Sequence, residues 1–257
     1  DRDTFHNMKK RFLESDFPLA FAHRGGALDA PENSMSAFTL AVSMGYRYLE
    51  TDVHATKDGS LVAFHDHALD RVTDRSGNIA DLNYSEVSKA KIDGKEKIPL
   101  LIELLEEFPD AKFNIDPKHD SAIDPLIKVL SMTRSIHRVC IGSFSDSRIR
   151  RIAESMGEDL CTGMGPSGVA KVQLRRFIGS KRIPQGDCVQ VPMIVKGIPL
   201  ITPQFVRRVH RLGKVVHAWT INKKEDIEML LDYGVDGIMT DKLEILKNVY
   251  TKRGIWH

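Results

Sequence analysis

Glu50 and Asp52 stand two residues apart in an apolar run, so in an extended strand both carboxylates point to one side. Two such groups repel and raise each other's pKa unless positive charge lies between them. A hard divalent cation supplies that charge, since Mg²⁺ and Ca²⁺ take oxygen ligands. Asp116 is the best third ligand, and Lys118 leaves its strand on the same side. The alternative is an ion-paired cluster, with Arg24 and Lys118 neutralising the carboxylates and no metal. Three carboxylates at strand ends favour the metal. His23 and His65 close other apolar runs and can serve as acid and base at neutral pH. Arg24 presents a planar fork suited to phosphate oxygens, and Gly25 and Gly26 either let backbone N–H groups approach the same anion or form a turn. Cations, a metal and two histidines together point to a phosphodiester as ligand.

Groups so far apart in sequence need a scaffold that gathers strand ends. Buried-strand patterns fall at Leu19–Ala22, Tyr48–Val53, Lys112–Asp116, Val139–Ser143, Leu160–Gly163, Cys188–Val191, Val215–Thr220 and Gly237–Thr240. Helical patterns separate them at Ser34–Met44, Leu100–Phe108, Ile123–Ser131, Asp146–Ser155, Val169–Ile178, Pro203–Leu212 and Lys224–Tyr233. This alternation predicts an α/β fold, a (β/α)₈ TIM barrel, whose active site lies where the strands stop. One further strand, Leu61–His65, follows the turn signal Lys57-Asp58-Gly59 and opens a small insertion after the second strand, about residues 54–99, over the barrel mouth. The expected organisation is one catalytic domain over residues 1–257. Phe5, Met8 and Phe12 at helical spacing read as a segment plugging the barrel bottom rather than one lying on a membrane.

Composition agrees with an ordinary globular protein: 257 residues, 42% hydrophobic and 28% charged. The 37 basic and 35 acidic residues leave a net charge of +2, which disfavours nucleic acid as a partner. Cys140, Cys161 and Cys188 lack metal-ligand or disulfide spacing and are expected to be reduced core residues. No apolar run reaches the length of a membrane span, membrane contact is not favoured, and a cytoplasmic location is expected.

The motifs together resemble the glycerophosphodiester phosphodiesterase family. The resemblance runs through His23-Arg24-Gly25-Gly26, Pro31-Glu32-Asn33-Ser34, Glu50-Thr51-Asp52-Val53, Thr56-Lys57-Asp58-Gly59 and Phe64-His65-Asp66. It continues through Asp116-x-Lys118, Ser143-Phe144, Trp219-Thr220-Ile221-Asn222 and Gly234 to Asp241. It implies a barrel with an insertion, Mg²⁺ or Ca²⁺ held by Glu50, Asp52 and Asp116, and His23 and His65 as the acid/base pair. Arg24 and Lys118 would bind phosphate, Glu32 would touch the metal or its waters, and Trp219 would wall the glycerol pocket. Asp116 departs from the family, which commonly has Glu there.

The implied activity is metal-dependent hydrolysis of glycerophosphodiesters, small molecules, to sn-glycerol 3-phosphate and an alcohol. Its rivals are phospholipase D-like cleavage of lysophospholipids or sphingomyelin, a phospho-ligand-binding barrel without turnover, and a sugar isomerase or nuclease barrel. His54, His67 and His217 are expected in surface or supporting roles, His119 on the loop after Lys118 is open between roles, and Asp241 is expected to cap or pair structurally. The apolar run Met193-Ile194-Val195 with Ile198, Leu200 and Ile201 is expected to pack against the insertion, which would favour soluble diesters over lysolipids.

Overall fold

A computed structural model describes residues 10–174 and 184–256. Numbering the barrel elements alone, the strands are β1 (Leu19–His23), β2 (Tyr48–Ala55), β3 (Lys112–Pro117), β4 (Val139–Ile141), β5 (Cys161–Thr162), β6 (Cys188–Pro192), β7 (Val215–Trp219) and β8 (Gly237–Thr240). They pair in parallel in the order β5-β4-β3-β2-β1-β8-β7-β6. A parallel bridge between Gly163 and Cys188 joins the two ends, so the sheet is a nearly closed TIM barrel.

The helices are α1 (Met35–Ser43), α2 (Leu101–Glu107), α3 (Ile123–Thr133), α4 (Asp146–Met156), α5 (Pro166–Leu174), α6 (Pro203–Arg211), α7 (Lys224–Asp232) and α8 (Leu243–Lys252). Local chemistry sets several starts: Ser34, Ser145 and Thr202 each accept a hydrogen bond from a backbone N–H of the first turn. Part of the expected helix Val169–Ile178 lies outside the described residues, as do Phe5 and Met8.

Burial explains the strand patterns. Every residue of β2 is buried, because one face looks into the barrel and the other meets the helices. Leu49, Val53, Phe113, Ile115 and Ile141 face the helix layer, in one continuous core. A second core fills the bottom of the barrel with Phe21, Tyr48, Met239 and the three cysteines. Phe12 and Leu13, in the 3₁₀ turn Arg11–Leu13, close it from below. The plug expected at Phe12 is therefore present, as a short turn.

The strand Leu61–Ala63 pairs antiparallel with the end of β2, through Val53↔Ala63 and Ala55↔Leu61. The chain then runs through a small body with its own buried cluster, including Phe64, Leu69, Ile79, Ile92 and Ile98. The apolar run after β6 divides, contrary to expectation. Ile201 is buried, and Met193 and Leu200 are half-buried against the main core. Ile194, Val195 and Ile198 sit on a two-stranded hairpin and are exposed, Ile198 at 71%. Only the flanks pack, because Lys196 and Gly197 turn the chain back on itself with positive φ.

Candidate active site

At the carboxyl ends of β1, β2 and β3 the strand register puts His23 beside Glu50, and Asp52 beside Asp116. The β1 end leaves the strand in a left-handed turn, with Arg24, Gly25 and Gly26 all at positive φ. A Cβ on Gly25 would stand 2.8 Å from that of Ala37, so this turn must be glycine to dock on α1. The N–H groups of Gly25 and Gly26 bond to the carbonyls of Ala22 and His23. Of the two readings of that pair, the turn holds: those N–H groups are engaged within it. The Arg24 N–H instead donates to Glu50 Oε2 at 3.0 Å.

Asp52 lies between two cations. Lys118 Nζ is 2.8 Å from Asp52 Oδ1 and 2.7 Å from Asp116 Oδ2. Arg24 Nε stands 3.3 Å from Asp52 Oδ2 as an ion pair without hydrogen-bond geometry. Asn33 Nδ2 donates to the same oxygen and holds Thr51 through its Oδ1. Burial disfavours the charged Asp52, but Lys118 and Arg24 outweigh it and hold the carboxyl below its ordinary range. Burial likewise pulls Lys118 down, and Asp52 and Asp116 more than restore it. Asp116 is raised, by burial above all, despite Lys118. At Glu50 the balance goes the other way: burial, then the like charge of Asp52, outweigh His23 and the more weakly acting Lys118 and push it up to about 7.

The three carboxylates therefore share one side, and in the described structure they do not bring one oxygen each within 4.8 Å of the others. Lys118 occupies the space between two of them. Their all-oxygen donor set fits a hard cation, and Glu50, buried with a raised pKa, is the group whose charge such a cation would relieve.

Both histidines are oriented through Nδ1. His23 Nδ1 is 2.6 Å from Asp241 Oδ1, and its Nε2 is 3.7 Å from Glu50 Oε2. Burial alone would depress His23, yet Glu50 and the Asp241 hydrogen bond raise it above its ordinary value. Asp241 is itself held by Asn222, whose amide donates to Oδ2 at 3.0 Å. His65 Nδ1 is 2.7 Å from Asp66 Oδ1, and Arg71 grips Asp66 at 2.7 Å and Glu32 at 2.6 Å. Arg71 thus ties the insertion to the Pro31-Glu32-Asn33 loop. Glu32 is bound by two arginines, since Arg24 also reaches it at 3.4 Å.

Trp219 ends β7 and meets the exposed Phe144 edge-on, at 5.8 Å between ring centroids. Of the histidines left aside, His67 is exposed and His119 caps the turn Asp120–Ala122. His54 is buried with Nε2 against the His65 carbonyl at 2.9 Å, and His217 lies fully inside the barrel. A surface role is excluded for both. Asp241, expected to pair structurally, pairs with His23 itself. Asn33, Arg71 and Asn222 were not anticipated. Asn33 and Asn222 both lie inside motifs that carry the family resemblance, whereas nothing local marks Arg71.

Buried carboxylates, paired cations and two carboxylate-held imidazoles at strand ends define an α/β-barrel enzyme built to handle an anionic ester. The chain belongs to the Glycerophosphoryl diester phosphodiesterase family, whose profile matches residues 23–245. It is a phosphoric diester hydrolase. It is 39% identical over 251 residues to Probable glycerophosphodiester phosphodiesterase 2 of Mycobacterium tuberculosis, covering 95% of each chain. It is 29% identical to a lysophospholipase D of Homo sapiens, over 91% of this chain and 85% of that one. The fold matches an Oleispira antarctica phosphodiesterase solved with its product sn-glycerol-3-phosphate, with TM-score 0.76 and 22% identity over 91% of this chain and 97% of that one.

Proposed function

We propose that the chain hydrolyses glycerophosphodiesters to sn-glycerol 3-phosphate and an alcohol, as a single catalytic domain with residues 54–99 inserted. The observation that carries this reading is the pair of imidazoles, each held at Nδ1 by a carboxylate at 2.6 and 2.7 Å. Such contacts fix the ring and leave Nε2 to exchange a proton with substrate. His23, raised and so more fully protonated near neutral pH, suits the acid that protonates the leaving alcohol, and His65 suits the base. Arg24 and Lys118 would turn from their carboxylates to the phosphate oxygens, neutralising charge as it grows. Trp219 would wall the glycerol pocket.

Glu50, Asp52 and Asp116 would hold Mg²⁺ or Ca²⁺, with Glu32 touching the metal or its waters. When bound, the cation supplies Lewis-acid polarisation of phosphoryl oxygens. The test is product analysis on glycerophosphocholine with and without chelator. Release of glycerol 3-phosphate that stops on chelation and returns with divalent cation is expected. His23→Ala and His65→Ala should each lower kcat by roughly 10²- to 10⁴-fold. Full turnover after exhaustive chelation refutes the metal, and near-normal kcat in both variants refutes the acid/base assignment.

A second substrate class has one specific observation in its favour. The exposed Ile194, Val195 and Ile198 follow β6 at the active-site end, where an apolar rim could take an acyl chain, each buried CH₂ contributing about 0.8 kcal/mol. The relative named lysophospholipase D fits that chemistry. Serine at these three positions should lower kcat/KM on lysophosphatidylcholine while sparing glycerophosphocholine; equal effects on both exclude the rim as an acyl site.

A further inference from the structure

The bottom of the barrel holds a second cluster of metal-ligating groups, remote from the carboxylates at the strand ends. Cys140, Cys161 and Cys188 lie on the neighbouring strands β4, β5 and β6, with Cys140 and Cys161 in register. All three are free thiols with at most 1% exposure. Their sulfurs lie within 4.8 Å of one another, and Cys140 Sγ is 3.8 Å from Cys188 Sγ. That separation is far beyond the roughly 2.05 Å of a disulfide. It equals the edge of a regular tetrahedron of sulfurs, about 3.8 Å, around a zinc ion with Zn–S bonds of about 2.3 Å.

An imidazole stands beside one of the thiols. His217 is fully buried, within hydrogen-bonding reach of Cys188, and its Nδ1 is 3.3 Å from Gln190 Nε2. Its Nε2 is buried without a hydrogen-bond partner. With Nδ1 accepting from the Gln190 amide, the neutral ring carries its proton on Nε2, and the ring nitrogens stand outside the set of ligand atoms within 4.8 Å. Ligation through Nε2 requires that proton on Nδ1, the Gln190 and Asn114 amides turned so that Gln190 Oε1 accepts it, and the ring drawn toward the sulfurs. Hydrogen bonds from Cys140 and Cys161 hold the Cys188 thiol well below its ordinary range, whereas burial pushes Cys140 and Cys161 well above theirs, so one thiolate forms readily and the other two would form only with a cation between them. A cleft of about 140 Å³ between Leu13, Phe17, Val215 and Asp236 on the bottom face borders His217, which is itself fully buried.

We propose that Cys140, Cys161, Cys188 and His217 form a structural site for one Zn²⁺ at the bottom of the barrel, independent of the catalytic centre. Binding would release the protons of the thiols to solvent and shift the imidazole proton from Nε2 to Nδ1, where the turned Gln190 amide oxygen accepts it; each sulfur and Nε2 then donates one lone pair, with no change of oxidation state. Three thiolates and an imidazole form a closed, tetrahedral structural set with no position left for substrate. The ion would join β4, β5, β6 and β7, across the place where the sheet is completed by the lone Gly163–Cys188 bridge.

The test is elemental analysis of the full chain after expression with zinc and dialysis against EDTA. Stoichiometric zinc should remain, X-ray absorption should show three sulfur neighbours and one nitrogen, and a mercurial thiol reagent should release the metal. Cys188→Ser and His217→Gln should lose the zinc, whereas Glu50→Gln should retain it. A wild-type chain that contains no zinc, even after refolding with zinc, and whose three thiols titrate fully in denaturant without metal release, overturns the proposal. So does zinc that departs with Glu50→Gln and stays with Cys188→Ser. Because the wild-type measurement decides alone, a variant that fails to fold does not protect the idea.

Discussion

Glu50 is the acid for which burial and charge conflict most. Its folded pKa of about 7 lies above the ordinary 4.5, so the native state binds this proton more tightly than the unfolded chain does. Stability from the neutral carboxyl is full below about 4.5 and is lost as pH rises through about 7. In metal-free protein, Glu50→Gln should therefore add about 1–3 kcal/mol at pH 8 and almost nothing at pH 4. Urea denaturation in chelator at the two pH values measures this, and a gain independent of pH would contradict it. His23 offers the complementary experiment. Asp241 helps to raise its pKa, so Asp241→Asn should move the alkaline limb of the pH–rate profile to lower pH. Loss of ring orientation should also lower kcat, by up to roughly 10²-fold. An unmoved limb would mean that another group titrates there.

Among the elements, the insertion and its Arg71 clamp are the least secured. Arg71 is about half exposed, so the bridge to Glu32 and Asp66 contributes below about 1 kcal/mol to global stability. It nevertheless links two loops that carry His65 and Glu32. Arg71→Met should leave the unfolding midpoint nearly unchanged while amide exchange quickens in residues 66–99 and kcat/KM falls; uniform loss of protection would show that the clamp supports the whole barrel. Local periodicity accounts for how much of this scale could be read in advance. All eight strands lie where buried apolar runs placed them, since each is enclosed on both faces. β4 ends at Ile141, earlier than expected, and the next residue must be small: a Cβ on Gly142 would meet Gln190 Oε1 at 2.7 Å. The last helix, Leu243–Lys252, has no counterpart among the expected helices although Leu243, Leu246, Val249 and Tyr250 carry its buried stripe. The carboxylates and histidines were legible because strand ends expose their order directly. The Arg71 clamp and the convergence of the three cysteines were not, since both depend on contacts between distant segments.

For the molecule as a whole, the bottom plug is the clearest structural liability. Phe12 is 1% exposed and stacks edge-on against Tyr48 at 5.4 Å. Phe12→Ala should cost about 3–5 kcal/mol, read as a lower unfolding midpoint, with kcat unchanged at temperatures where the variant stays folded. A loss of kcat without loss of stability would instead connect the two ends of the barrel. The contact between His23 and Asp241 has a consequence in time. It joins residues 218 positions apart, one at the end of β1 and the other just after β8, two strands that pair with each other. A ribosome has therefore made nearly the entire barrel before the imidazole gains its carboxylate. Chains abandoned earlier in synthesis would carry Arg24 and Lys118 but no oriented His23, so incomplete translation would yield silent fragments rather than weakly active ones.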